Sequence, residues 1–202
     1  MTNQLRLIAA CVFAIGFEPA VAQIIQVPPV PDQIQVPSGN KVYLKGSAVG
    51  TQNYVCLPSA SSYAWKFLGP QATLFFVFQW MNGEVRQQIT THFLSPNPAE
   101  GGTARPTWQS SLDTSAIWGK AAASSIDPNF VAQGAIPWLL VQIVGAQNGP
   151  MGGSSLTGTT YIHRLNTAGG VEPAAGCSQA GNVGAVALVP YTTDYYFYKA
   201  AQ

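Results

Sequence analysis

Two-residue alternation between apolar and polar side chains, interrupted by Gly and Pro, is the feature that most restricts this chain. Such a period places successive side chains on opposite faces of an extended backbone, so it selects strands over helices. Residues 41–56 show it, with Ala48, Gln52, Tyr54 and Cys56 on one face and Val49, Thr51, Asn53 and Val55 on the other. Residues 84–93 alternate as well, and 63–68, 74–81, 136–146, 159–166, 185–189 and 193–199 also read as strands. The run 74–81 (LFFVFQWM) is dense enough for a strand buried on both faces, which assigns Trp80 to the core, as the apolar run around Trp138 does for that residue. Asn82-Gly83 after it supplies the residues that a tight type I′ hairpin turn requires. Residues 111–125 fit a short helix capped by Asp113 or a strand over 116–120, and both readings stay open. About nine short strands with little helix predict an all-β fold, an antiparallel sandwich or barrel. No internal repeat is visible.

Composition narrows the class further. Only 8% of the 202 residues are charged, and 20 Gly and 15 Pro mark many turns, which excludes a coiled coil or charge-driven disorder. Nine Lys and Arg against eight Asp and Glu leave a net charge of +1 with no basic run, so nucleic acid is not an expected partner.

The first 22 residues have the form of a cleaved export signal, with Arg6, the apolar stretch LIAACVFAIGF and the small-x-small site Ala20-Val21-Ala22. The apolar run is too short to span a bilayer, which needs roughly 20 residues, so no integral membrane segment is expected after cleavage following Ala22. A lipobox reading of Ile8-Ala9-Ala10-Cys11 leaves too little sequence ahead of the cysteine. The expected organisation is a signal peptide (1–22), a Pro-rich extended arm (23–40) and one β-rich domain (41–202), in a periplasmic or secreted location. Removal of Cys11 leaves Cys56 and Cys177, and two cysteines in an exported chain suggest one disulfide, with two separate buried thiols as the alternative.

Several segments together resemble an exported-protein family, the domain of unknown function 3455. They are TQNYVC (51–56), YAWKFLGPQATLF from Tyr63, His92 with the later PTWQ (106–109) and Asp113, IPWLL from Ile136, TYIHRLNTAGG (160–170), Gly176-Cys177 and VPYTTDYYFY (189–198). The resemblance implies an exported β-rich domain and a Cys56–Cys177 pairing, and it implies no reaction. This chain departs from the family pattern at residues 94–105, an insertion between His92 and PTWQ, and at His163, where Gln is common.

Candidate chemistry is sparse. There is no Gly-x-Ser-x-Gly elbow, phosphate loop or dinucleotide fingerprint. The two histidines, His92 and His163, lack metal-ligand spacing, and neither a metal nor another cofactor is assigned. Residues 94–106 read as a long Pro- and Gly-rich loop, a kind of segment that often carries function. Trp108 beside it, with Gln109, His92 and Asp113, forms the candidate ligand site, suited to stacking a sugar ring. The alternative for Trp108 is a plug at one end of the fold. The leading expectation is a non-enzymatic exported protein binding an envelope or extracellular ligand such as a polysaccharide. A hydrolase or metal-dependent enzyme centred on His92 and Asp113, and a structural or stress-protective surface protein, are the alternatives. The tyrosines Tyr191, Tyr195, Tyr196 and Tyr198 are expected to cover both faces of the last strand.

Overall fold

The computed structural model describes residues 24–81 and 83–201; the proposed signal peptide with Cys11, and Asn82 in the expected turn, lie outside the described residues. Eight antiparallel strands follow one another around a closed barrel: β1 (Asn40–Ser59), β2 (Ser62–Trp80), β3 (Gly83–Asn97), β4 (Thr103–Ser110), β5 (Ala116–Ser125), β6 (Trp138–Gln147), β7 (Thr159–Gly169) and β8 (Val186–Ala200). Each pairs with the next, and β8 closes on β1 from Asn40↔Ala200 to Val55↔Val186. Closure removes the exposed edges that an open sheet would leave.

The strand count differs from the sequence expectation because long strands run through residues read as breaks. The segments 63–68 and 74–81 are one strand, β2, in which Gly69 takes φ +148° beside a bulge opposite Asn53 and Tyr54. Pro70 is tolerated there because the ladder to β3 begins only at Ala72↔His92, so its missing N–H breaks no bond on that side. Residues 116–125 are strand, not helix.

The wall has two apolar faces. Inside, Ala48, Leu74, Trp108, Ile117, Val141, Leu156, Ile162, Tyr195 and Phe197 form the lumen core. Outside, residues of the N-terminal arm pack on β6, β7 and β8, where Ile34, Val131, Trp138, Leu140, Leu165, Tyr196 and Tyr198 make a second core. The arm is extended apart from a single 3-10 turn, Asp32–Ile34, in keeping with its prolines. Alternation along β8 sends Tyr191 and Tyr195 inward and Tyr196 and Tyr198 outward, so the tyrosines do cover both faces. Cys56 and Cys177 form a disulfide across a sequence separation of 121. It ties the β7–β8 connection to β1.

Three local expectations are corrected. The run 74–81 is not buried on both faces, because the β1–β2 ladder stops at Ser47↔Phe75 and the β3–β4 ladder begins at Thr90↔Ser110. Residues 76–80 and 83–88 therefore leave the barrel as a two-stranded ribbon, with Trp80 62% and Met81 87% exposed. Since Trp80 pairs with Gly83, the turn is centred one residue earlier than the Asn-Gly pair suggests, with Met81 at φ +51°. The long loop at 94–106 is a compact hairpin: β3 continues to Asn97, the turn Pro98–Glu100 follows, and Gly101 and Gly102 take φ +62° and +87° before β4. Asn97 caps that turn by accepting from the Ala99 N–H, and Arg105 donates to both oxygens of Glu100. The Pro and Gly content marks a turn here, not a mobile segment.

Candidate functional site: the barrel lumen

His92 reaches the lumen through an irregularity in β3. The register steps from Phe75↔Gln88 to Leu74↔Thr90, leaving Ile89 as an extra residue. A bulge of this kind reverses which alternate residues face inward. His92, placed by simple alternation on the polar face, is thus 3% exposed and looks into the barrel with Thr90.

On the neighbouring strand Trp108 pairs with His92 in register. Their rings stack at 4.2 Å between centroids and 14° between planes. Tyr195 from β8 closes the cluster edge-on, 5.2 Å from His92 and 5.6 Å from Trp108. Gly119 on β5 leaves room for the indole, since a Cβ there would lie 2.9 Å from Trp108 Cζ3. Trp108 is 1% exposed, so its face is not offered to solvent as a stacking platform.

Beside this cluster lies a cavity of about 340 Å³. Its walls are largely apolar, with Phe67, Pro70, Ile136, Leu139 and Val141, and its polar members are Gln52, His92, Arg164 and Tyr195. Leu156 from the β6–β7 connection is 2% exposed within the lumen core. Two buried donors in the cavity wall, Gln52 Nε2 and Trp108 Nε1, have no hydrogen-bond partner among the described residues. Buried polar atoms in folded proteins are overwhelmingly paired, so two such atoms in one wall set this part of the lumen apart.

The electrostatics follow from burial. His92 Nδ1 lies 2.9 Å from the Thr107 carbonyl oxygen, which can only accept, so Nδ1 carries the proton and Nε2 keeps its lone pair. Desolvation pushes the imidazole down to about 3 against the opposing effect of that hydrogen bond, and the Arg164 charge lowers it further. The ring is neutral at physiological pH. Burial also raises the Tyr195 and Tyr191 hydroxyls above their ordinary value, so both remain protonated donors. Arg164 is aimed inward by β7, where Ile162 shares its face and Tyr161, His163 and Leu165 face the arm. Its Nε and Nη2 donate to the Pro137 carbonyl at 3.2 and 2.8 Å.

The four site residues expected from sequence do not all converge. His92 and Trp108 meet in the lumen. Gln109, next along β4, faces a shallow outer groove with Phe93, Thr107 and Trp118. Asp113 lies in the β4–β5 turn, where Oδ2 accepts from the Ser155 N–H and Oδ1 from the Ser115 N–H and hydroxyl. Those bonds, the one from the Ser155 backbone foremost, hold its carboxyl well below the usual range. Its oxygens fasten the turn to the β6–β7 connection. His163 is on the opposite face of the wall from His92, and among the described residues no three His, Cys, Asp or Glu side chains gather to hold a metal.

Sequence reasoning passed over Gln52, Arg164 and Tyr195 as site residues. A usable signal existed for Arg164: in YIHRLN it alternates with His163 and falls on the face of Ile162, a lone cation on an apolar stripe in a chain with few charges.

A closed antiparallel barrel with an apolar, partly open lumen is the class that fold and site define. A family model described as "Protein of unknown function (DUF3455)" matches residues 37–199, and the chain belongs to that family. No curated protein and no solved structure matches the chain.

Proposed function

We propose that this is an exported, non-catalytic barrel that holds one small, largely apolar molecule in its lumen, against the His92–Trp108–Tyr195 cluster. The observation that carries the reading is the cavity of about 340 Å³ bordered by buried donors without partners. Its size falls within the range of small-molecule sites, and an apolar wall with a few convergent polar groups is their usual make-up. The barrel supplies a rigid frame, since every strand is paired on both sides through part of its length. Ligand capture inside the barrel replaces the loop-borne polysaccharide site expected from the sequence, because Trp108 is covered by His92 and Tyr195. A His92–Asp113 catalytic pair finds no support either, with both Asp113 oxygens engaged elsewhere.

Export belongs to the same proposal. Arg6, the short apolar stretch and Ala20-Val21-Ala22 support cleavage after Ala22, and the Cys56–Cys177 bridge suits an oxidising compartment. No helix among the described residues is long and apolar enough to cross a membrane. N-terminal analysis of exported protein should begin at Gln23.

Binding is tested with the neutral fluorophore N-phenyl-1-naphthylamine. The expected result is saturable uptake of one molecule per chain, with quenching of tryptophan emission. Ala121 of β5 lines the cavity and is exposed to solvent, so Ala121→Trp places a large ring at its opening and should abolish uptake while preserving the thermal transition. Absence of saturable uptake by the unaltered chain overturns the lumen reading.

A further inference from the structure

Arg164 stands apart from the ion-paired cations of this chain. Arg86 pairs with Glu84, Arg105 with Glu100 and Lys45 with Asp194, all on the outside of the barrel. Arg164 lines the apolar cavity and forms no ion pair among the described residues. A cation set in an apolar wall is costly unless a counter-charge meets it.

The guanidinium is nonetheless held in place. Two of its five N–H groups converge on the Pro137 carbonyl, which fixes the plane of the fork and leaves three donors free of that anchor. The Tyr195 hydroxyl is close enough for the cation to oppose its rise in pKa. Gln52 Nε2 and Trp108 Nε1 add two more donors without partners on the same cavity. The cavity wall therefore carries one positive charge, with two further donors covered within it. Glu172, on the β7–β8 connection, acts on the Tyr54 hydroxyl as Arg164 does with opposite sign, but the two form no ion pair.

From this arrangement we infer that the lumen ligand is an amphipathic monocarboxylic acid, its carboxylate held by Arg164 and its apolar body lying along Phe67, Leu139 and Val141. The inference rests on the lumen reading above and adds the class of ligand. An oriented guanidinium matches a planar carboxylate through two parallel hydrogen bonds. A single cation balances one negative charge, whereas a doubly charged phosphate monoester would require a second cation, and among the described residues no other Lys or Arg lines the cavity.

The test is displacement of N-phenyl-1-naphthylamine by 4-phenylbutyrate and by its uncharged counterpart, 4-phenylbutan-1-ol. The acid should displace the probe at a concentration at least tenfold lower than the alcohol. In Arg164→Gln the ratio should fall to near one, and Arg164→Lys, which keeps the charge, should retain most of the preference. Melting curves of each variant accompany the assay. If Arg164→Gln does not fold, the Lys variant and the acid-to-alcohol ratio of the unaltered chain decide the matter. Equal displacement by acid and alcohol, displacement by neither, or an acid preference that persists in Arg164→Gln overturns the inference while probe uptake keeps the lumen reading. Failure of the unaltered chain to take up the probe removes both.

Discussion

His92 and His163 sit on opposite faces of the same barrel wall, and the two faces use an imidazole differently. His163 Nε2 donates to the Ile34 carbonyl at 2.6 Å, and its Nδ1 accepts from the Tyr198 hydroxyl at 3.0 Å. Both ring nitrogens are committed, and they stitch the N-terminal arm to the outside of the barrel. His92 commits only Nδ1, to Thr107, and stacks on Trp108 beside a cavity. Among the described residues the arm layer has one unpartnered buried donor, Trp138 Nε1, whereas the lumen has Gln52 Nε2, Thr90 Oγ1 and Trp108 Nε1. The outer layer is a finished core that seals the barrel wall. The lumen is a packed core on one side and an apolar cavity on the other.

The largest expected effect comes from the disulfide, which secures the lumen end of the fold through the β7–β8 connection. Closing a loop of 121 residues removes chain entropy from the unfolded state worth about 4 to 5 kcal/mol. The Cys56→Ser/Cys177→Ser double variant should lose about that much in denaturant unfolding, with proteolysis starting in residues 170–185 before it reaches the arm. A loss below about 1 kcal/mol would mean that this end is held by packing alone.

Next comes Trp108→Ala. If the stacked cluster is core as well as cavity wall, the change should cost about 3 to 5 kcal/mol, because neighbours fixed in strands cannot collapse into the space. A loss of probe binding without loss of stability would instead make Trp108 a ligand contact only, and would break the view of the lumen as half core.

These expectations also show where the sequence was readable. Periodicity located the strands and the turn-rich all-β class, and it grouped Ala48, Gln52 and Tyr54 on one face of β1, which the structure turns toward the lumen. It failed at His92 because one extra residue, Ile89, reverses the faces, and no local pattern marks a bulge in a strand of Gln and Thr. It failed at Trp80 because burial of an aromatic run depends on neighbouring strands, and β1 and β4 do not extend alongside it. Gly and Pro at 94–106 suggested a long loop, whereas strands run to Asn97 and from Thr103 and the turn between them is made tight by Asn97 and the Glu100–Arg105 pair. The lumen site was legible only in part, since Gln52, Arg164 and Tyr195 converge from three distant strands.

A smaller effect separates the two histidines directly. His163→Phe leaves the Ile34 carbonyl and the Tyr198 hydroxyl without partners in a buried layer, a cost of about 1 to 3 kcal/mol, and should expose residues 24–37 to protease. His92→Phe keeps an aromatic ring against Trp108 and forfeits one hydrogen bond, about 1 kcal/mol. The reverse order of effects would put the structural role in the lumen and undo the comparison.

The most gradual effect is the dependence of stability on pH. Burial holds folded His92 at about 3, below the unfolded value of 6.5, so below pH 6.5 the unfolded chain binds a proton that the folded chain refuses. The contribution of the neutral ring is fully present above pH 6.5 and is lost progressively as pH falls from there toward 3, at about 1.4 kcal/mol per pH unit once the unfolded ring is charged. His163 is lowered in the same direction by burial and adds to the slope. Denaturant unfolding from pH 7 to pH 5 should therefore show stability falling with acid, and His92→Phe should flatten the slope by removing its share. His163→Phe should flatten it too, but with loss of the arm. An unchanged slope in His92→Phe would show that the lumen admits a proton as readily as water does, and with it the neutral, acceptor-bearing Nε2 would be lost from the description of the site.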